Sequence, residues 1–141
     1  MIHILVLAHG DLADELVKSV EMIIGSVPGV YSIGLEPSEN LEHYEGRLRK
    51  VIDGTADDDM RSGTIILADM FGGSCANVAS KIVAEYGLDN SAVITGVNLP
   101  MLLDTIINRD VLKFDALRQK TLDAGSRSII DMSEVARKNV S

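Results

Sequence analysis

The N-terminal stretch IHILVLAHG, residues Ile2–Gly10, decides the fold together with the residues that follow it. Ile2–Ala8 is a short apolar run with several β-branched side chains, which predicts a strand buried on both faces of a parallel sheet. Residues 11–24 then change to helical spacing, with an apolar stripe, acidic residues in the first turn and Gly25 as the terminator. The chain therefore opens with a strand that leads directly into a helix.

The alternation of strand and helix continues along the chain and predicts an α/β fold. Helices are expected from Ser38 to about Asp53, from Ser74 to Tyr86, over Pro100–Ile107 and over about Lys113–Ala124, and strands over Val30–Leu35, Thr64–Ala68, Ser91–Thr95 and, as a short late edge strand, Ser128–Met132. We expect a flavodoxin-like three-layer α/β/α arrangement with a mostly parallel sheet of order 2-1-3-4. A polar tail is expected from about residue 133.

Length and charge restrict the classes of protein to which this chain can belong. Its 141 residues suit a single domain over 1–141, and its net charge of −8 argues against binding of nucleic acid or of an anionic membrane. Residues 1–70 carry all of that charge, with 13 acids and 5 bases, because residues 71–141 hold 8 of each. One cysteine, Cys75, excludes a disulfide framework, and the absence of a signal peptide or membrane span predicts a cytoplasmic protein.

We expect the functional site at the point where the order of strands in the sheet reverses. In open parallel sheets, ligands bind beyond the carboxyl ends of the strands at such a switch point, which lies here between the first and third strands. The first strand ends at His9, and the third ends at Asp69. Neighbouring parallel strands place these two residues side by side, so the carboxylate can hold one imidazole nitrogen and leave the other as a nucleophile or base.

The residues around this pair favour a transient phosphate over a bound nucleotide. Helix starts after Gly10 and at Ser74, with Gly72 and Gly73 before the second, offer backbone N–H groups to an oxyanion, and Ser74 adds a hydroxyl. The GGS sequence lacks the lysine of a phosphate-binding loop, and a GxGxxG pattern is absent. We therefore expect no nucleotide cofactor at this site, and a phosphate carried on His9 requires no metal.

Other polar residues are interpreted as structural. His3, inside the first strand, is expected to be a buried imidazole with satisfied polar atoms, and His43 to be a solvated helix residue. The acidic run Asp57–Asp59 lacks the spacing of a calcium loop and is expected to be a solvated loop. Cys75, at a helix start, has no partner in a motif and is expected to be a small packing residue.

Three motifs in order resemble one family. The block ILVLAHG with the helix end EMIIG, then ADMFGGSCANVAS, then GVNLPMLLD are similar to signatures of the enzyme IIA domain of the mannose-type sugar phosphotransferase system, a group that includes the mannose, fructose and sorbose systems. The resemblance covers nearly the whole chain. It implies a phosphotransferase in which His9 accepts a phosphoryl group from phosphorylated HPr and passes it to an enzyme IIB, without a cofactor.

The resemblance also implies roles for residues around His9. Asp69 matches the family aspartate that hydrogen-bonds the active histidine. The residues implied to bind the phosphate are Gly10, Gly72, Gly73 and Ser74, and those implied to border the site are Phe71, Asn98 and Pro100. Cys75 departs from the family, which commonly has proline there, and we expect a slightly looser loop with retained chemistry.

The resemblance also implies a dimer and a protein partner that accepts the phosphate. Members of the family are usually homodimers whose last short strand can be exchanged between subunits, and Ser128–Met132 is the segment that could do so here. No IIB domain follows in these 141 residues, so the expected acceptor is a separate IIB protein, with the membrane reached only through a IIC/IID complex.

Three other functions remain open from the sequence. One is a regulatory module of the IIA type that signals by its phosphorylation state. Another is the phosphohistidine subunit of dihydroxyacetone kinase, which shares this fold and an early histidine. A third is a flavodoxin-like nucleotide or flavin binder, against which the missing lysine and the scarcity of aromatic residues count.

Overall fold

The structure, a computed structural model, describes residues 1–56, 63–87 and 89–140. The strands are β1 (His3–His9), β2 (Val30–Leu35), β3 (Thr64–Ala68) and β4 (Ser91–Thr95), and the helices are α1 (Leu12–Ile24), α2 (Leu41–Ala56), α3 (Ser74–Tyr86), α4 (Leu99–Asn108), α5 (Phe114–Arg127) and α6 (Met132–Val140).

The four strands form one parallel sheet of order β2-β1-β3-β4, which confirms the predicted order. The β1–β2 register pairs His9 with Leu35, and the β1–β3 register pairs Leu7 with Ala68. The carboxyl ends of β1 and β3 therefore meet at the same edge, where the chain leaves one strand toward α1 and the other toward α3.

Strand β1 lies between two apolar cores. Ile4, Val6 and Ala8 pack on one face with residues of α1, α4 and α5, whereas Leu5 and Leu7 pack on the other face with residues of α2 and α3. All five side chains are fully buried. Burial of each larger aliphatic side chain contributes roughly 1.5–3 kcal/mol, so β1 is held firmly from both sides. The result is the predicted three-layer α/β/α arrangement, with the end of β1 fixed in place.

The short late edge strand predicted at Ser128–Met132 is wrong for this chain. Residues 128–131 form an irregular link after α5, and the expected polar tail is helix α6. The carboxylate of Asp131 accepts the backbone N–H groups of Ser133 and Glu134 at 3.0 and 3.3 Å, which is the hydrogen-bonding of a helix N-cap. The apolar residues in the link favoured a strand by composition, but a strand also needs a neighbouring strand for its hydrogen bonds.

Several element boundaries also differ by one to three residues from the sequence expectation, and two of the differences have a clear physical reason. Gly125 was expected to follow the end of α5, yet the helix continues to Arg127. A Cβ at position 125 would lie 2.3 Å from Cε of Met101, so this glycine permits close contact between α4 and α5. Helix α2 begins at Leu41, because Asn40 accepts the N–H of His43 and thus caps the helix later than Ser38 would.

The Asp57–Asp59 run lies outside the described residues. Within the described ranges, no helix is both long and apolar enough to cross a lipid bilayer.

Candidate active site

His9 and Asp69 lie together at the carboxyl edge of the sheet, as the sequence predicts. Nδ1 of His9 is 2.7 Å from Oδ2 of Asp69, and the backbone N–H of His9 donates to the same oxygen at 3.0 Å. The backbone N–H of Asp69 in turn donates to the carbonyl of Leu7 at 3.0 Å, which continues the pairing of β1 with β3 beyond the last strand residue. The sheet itself therefore positions the carboxylate against the imidazole.

The Asp69 carboxyl is held in its ionised form. Burial alone would raise its pKa, but hydrogen bonds from the His9 ring and the His9 backbone, with the charge of His9, outweigh burial and lower it. The carboxylate is thus an acceptor, and a neutral His9 ring carries its proton on Nδ1 and donates it to Asp69. Nε2 is left with its lone pair.

The ring of His9 is accessible from solvent although its carboxylate partner is not. The His9 side chain is 50% exposed, whereas that of Asp69 is 12% exposed. A half-exposed imidazole, oriented by a largely buried carboxylate, is suited to a reacting group that arrives on another macromolecule rather than in a deep cavity.

The N-terminus of α3 lies beside the ring. Gly73 is the N-cap of α3 and provides no side-chain cap, so the N–H groups of the first turn are left to an outside acceptor. A Cβ on Gly73 would be 3.6 Å from Cε1 of His9, which shows how close this helix start comes to the imidazole. Gly72 has a φ of +77°, a conformation that favours glycine and turns the loop toward Ser74, the first residue of the helix.

The remaining predicted site residues differ in what they contact. Gly10 follows His9, but its N–H donates to the carbonyl of Leu35 at 2.8 Å and is thus engaged with the end of β2. Asn98 follows β4 at the same edge of the sheet, where its side chain accepts the N–H of Met101 at 3.0 Å and caps α4. Pro100 lies in the first turn of that helix.

Phe71 stands at the tip of the β3–α3 loop. Its side chain is 88% exposed, and that of the preceding Met70 is 54% exposed. Leu12, at the start of α1, is also exposed. Exposed apolar groups at the edge of a reactive histidine are typical of a surface on which a partner docks.

A second histidine–carboxylate pair was missed by the sequence reasoning. Nδ1 of His43 is 2.5 Å from Oε2 of Glu39, and Arg47 donates to Oε1 of the same carboxylate at 2.7 Å. The spacing of these residues, at i, i+4 and i+8, is the signal that could have revealed the cluster. His43 itself is largely solvated, as expected, with a side chain 67% exposed.

His3 and Cys75, both interpreted as structural from the sequence, are buried. His3 is buried in β1, as expected, and stacks on Tyr31 with ring centroids 6.1 Å apart. Cys75 is fully buried as the second residue of α3, in agreement with the packing role expected of it. Burial is the main cause that raises the pKa of the Cys75 thiol, and a hydrogen bond with Tyr44 opposes this effect.

Known sequences resemble this chain along most of its length. The family model described as PTS system fructose IIA component matches residues 3–122. The mannose-specific EIIAB component of the phosphotransferase system of Escherichia coli K12 is 35% identical over 133 residues, covering 91% of this chain and 38% of the relative, so the chain spans under half of that protein. The sorbose-specific EIIA component of Klebsiella pneumoniae is 30% identical over 119 residues, covering 84% of this chain and 83% of the relative.

Solved structures agree with these sequence matches. The crystal structure of a phosphotransferase system component EIIA from Streptococcus agalactiae superposes with a TM-score of 0.84 at 29% identity, covering 95% of this chain and 99% of that one. A IIA protein associated with a fucose utilization operon in Streptococcus pneumoniae superposes with a TM-score of 0.81 at 27% identity, covering 95% of each chain.

Proposed function

Because this chain belongs to the enzyme IIA family of the mannose- and fructose-type phosphotransferase system, we propose that it is a phosphohistidine carrier that accepts a phosphoryl group on Nε2 of His9. The observation that carries the proposal is the 2.7 Å contact between Nδ1 of His9 and Oδ2 of Asp69. It leaves Nε2 as the nucleophile, on a ring that is half exposed.

The proposed donor is phosphorylated HPr, and the reaction exchanges one P–N bond for another. Neutral His9 attacks with the Nε2 lone pair while the bond between phosphorus and the donor histidine breaks, and the donor imidazole leaves neutral. The phosphorylated His9 ring carries positive charge, which the Asp69 carboxylate balances through its bond to Nδ1–H. The transition state is loose and in line, so positioning and charge stabilisation supply most of the rate.

The start of α3 is proposed to bind the phosphoryl oxygens. No side chain caps the backbone N–H groups that follow Gly73, so these groups are available to phosphoryl oxygens. Ser74 adds a hydroxyl at the same place. These groups are dipoles fixed by the fold, so they need little rearrangement during transfer. They also compensate for the negative charge of residues 1–70, which would otherwise repel phosphate.

The proposed acceptor is an enzyme IIB, and both partners are proposed to dock over His9. Phe71 and Met70 provide exposed apolar contacts beside the ring. The acidic side chains of Asp11 and Glu36, which are exposed after β1 and β2, favour a partner with a basic rim.

We further propose a homodimer. The segment from residue 129 to the end of α6 exposes a row of apolar side chains, a pattern uncommon on monomers: Ile129, Ile130, Met132, Val135 and Val140. Light scattering should give twice the chain mass for the protein and one chain mass for Ile130→Asp. A monomeric protein at micromolar concentration would contradict the dimer.

The carrier function is tested by phosphorylation with labelled phosphoenolpyruvate, enzyme I and HPr. We expect acid-labile label on the chain and on His43→Ala, and none on His9→Ala. His43→Ala is the matched control because this histidine also has a carboxylate on Nδ1. Label that persists in His9→Ala would show that the phosphoacceptor has been misassigned.

A further inference from the structure

Cys75 lies against the pair that the reaction uses. One ligand atom each from His9, Asp69 and Cys75 can be chosen so that all three lie within 4.8 Å of one another. The three residues come from the end of β1, the end of β3 and the first turn of α3. A nitrogen, a carboxylate oxygen and a sulfur are thus brought together by the fold at one point.

The Asp69 carboxylate is only half used by the pair with His9. Oδ2 accepts both bonds from His9, whereas Oδ1 is buried and has no hydrogen-bond partner among the described residues. A buried carboxylate oxygen without a donor is costly, and such an atom calls for a proton donor or a cation. This is an observation independent of the thiol, and it points to the same place.

We propose that His9, Asp69 and Cys75 form a binding site for a thiophilic divalent cation of the Zn²⁺ class, with the fourth position open to water. Zn²⁺ accepts sulfur, imidazole nitrogen and carboxylate oxygen together, usually in a tetrahedral arrangement. A cation with only hard-oxygen preference, such as Mg²⁺, would have no use for the thiol.

The geometry needs only a small adjustment. With bonds of about 2.3 Å to sulfur and about 2.1 Å to nitrogen or oxygen, tetrahedral ligand atoms lie about 3.5 Å apart. The present separations of up to 4.8 Å close through side-chain rotation, for which the half-exposed His9 ring has room. The exposed ring also provides the path by which the ion enters.

Charge and protons balance on binding. Cys75 loses its thiol proton to solvent and becomes a thiolate, Asp69 is already a carboxylate, and His9 binds through the lone pair of Nδ1 as a neutral ring whose proton has moved to Nε2. One proton is therefore released for each ion bound, and the two negative ligands neutralise the dication.

The consequence rests on the proposed function of His9. With Nδ1 on the cation and the proton on Nε2, His9 has neither the hydrogen bond to Asp69 that orients it nor a free lone pair for phosphoryl transfer, so the cation blocks phosphorylation. Because the block needs the sulfur, it depends on Cys75, the residue that stands where the related signature commonly has proline. The chain would thus stop carrying phosphate when thiophilic metal is abundant.

Binding is tested on the unphosphorylated protein with Co²⁺ as the probe and Zn²⁺ as the competitor. We expect a thiolate-to-cobalt charge-transfer band for the protein and for His43→Ala, where the second histidine–carboxylate pair serves as the matched control. Cys75→Ser and Cys75→Ala should lack the band and bind Zn²⁺ at least tenfold more weakly. A protein without the band at saturating Co²⁺, or equal Zn²⁺ affinity with and without the thiol, would overturn the site. Cys75→Ser is nearly isosteric, and circular dichroism verifies its fold.

The block is tested separately with purified phosphorylated HPr as the donor, so that Zn²⁺ does not act on enzyme I. Zn²⁺ should inhibit labelling of the protein at least tenfold more than labelling of Cys75→Ser, and equal inhibition would refute the block. If the chain takes no label even without Zn²⁺, the carrier function fails while the cobalt result stands. If label is incorporated but the cobalt band is absent, only the cation site fails.

Discussion

At the scale of single residues, the decisive contact joins Oδ2 of Asp69 to Nδ1 of His9 at 2.7 Å. Hydrogen bonds from His9 keep the pKa of Asp69 low against the effect of burial, so the carboxylate stays charged at neutral pH. The same oxygen also accepts the His9 backbone N–H, which leaves the carboxylate little freedom to turn away. One acceptor oxygen thereby fixes both the tautomer and the direction of the ring.

Replacing Asp69 by asparagine should slow phosphorylation of His9 by roughly 100-fold, because the amide keeps the shape but cannot balance the charge of the phosphorylated ring. The rate of label transfer from phosphorylated HPr measures the effect. Glu39→Gln is the control, since it removes a like carboxylate from His43 and should leave the rate unchanged. Equal rates for Asp69→Asn and the unaltered protein would remove the carboxylate from the mechanism.

Much of this residue-level site could be predicted because it depends on sheet register alone. His9 and Asp69 are 60 positions apart, yet each directly follows the apolar run of its strand, so the parallel pairing of β1 and β3 brings them together. The bond from Gly10 to Leu35 could not be predicted, because it depends on how closely the β1–α1 turn approaches β2. The position of Cys75 near Asp69 likewise could not be predicted, because it depends on the turn before α3.

At the scale of elements, the turn after β1 is held by its fit against β2. Gly34 lies in β2 beside this turn, and a Cβ there would be 2.2 Å from the carbonyl oxygen of Gly10. Since Gly10 follows His9 directly, the packing of β2 controls where the reactive ring stands. Glu39, just before α2, forms a cluster with His43 and Arg47 of that helix at the same edge of the sheet, called here the Glu39 cluster.

Gly34→Ala should destabilise the protein by roughly 2 kcal/mol, because the turn must move to relieve the overlap. Gly46→Ala is the matched control: it lies in α2 with open space around it, and alanine there should stabilise by about 0.5–1 kcal/mol. Urea unfolding measures both. An unchanged midpoint for Gly34→Ala would show that the turn is not fixed by this contact.

The Glu39 cluster should make the free energy of unfolding depend on pH. Burial opposes ionisation of Glu39, but hydrogen bonds from the Glu36 N–H, His43 and Arg47 outweigh it and lower its pKa. A lowered folded pKa contributes stability above the unfolded value of about 4.3, and this stability is lost as pH falls through the folded value.

Glu39→Gln should therefore be less stable than the unaltered protein at neutral pH, and the difference should shrink below about pH 4. Urea unfolding across that range provides the measurement. A stability difference that stays constant, or grows as pH falls, would contradict the stabilising role of the ionised Glu39 carboxylate.

The bounds of α3 and β4 agree with the sequence expectation, because a helical apolar stripe that ends at Gly87 and a short apolar run are both local signals. The prediction failed at Ser128–Met132 because strand formation depends on a distant sheet edge, whereas Asp131 starts α6 by a local hydrogen bond. The continuation of α5 past Gly125 depends on contact with Met101, which no local pattern shows.

At the scale of the whole molecule, the net charge of −8 lies in the part of the sequence that holds His9. In the proposed transfer, a donor with a basic rim is steered toward this part, while the local N–H dipoles of α3 accept the phosphate itself. Long-range attraction and local phosphate binding are thus separate, and only the first is weakened by salt.

Raising the salt concentration from about 50 to 300 mM should therefore lower kcat/KM for phosphorylation by HPr several-fold and leave the hydrolysis rate of the phosphorylated chain nearly unchanged. Transfer kinetics and loss of label over time give the two values. An association rate that is independent of salt would mean that the acidic surface plays no part in docking.

The position of the phosphate on the imidazole tests the central claim most directly. Phosphorylated protein labelled with ¹⁵N on histidine distinguishes the two ring nitrogens by NMR. The structure predicts phosphate on Nε2 of His9, with Nδ1 still protonated toward Asp69. Phosphate on Nδ1, or on another residue, would contradict the account.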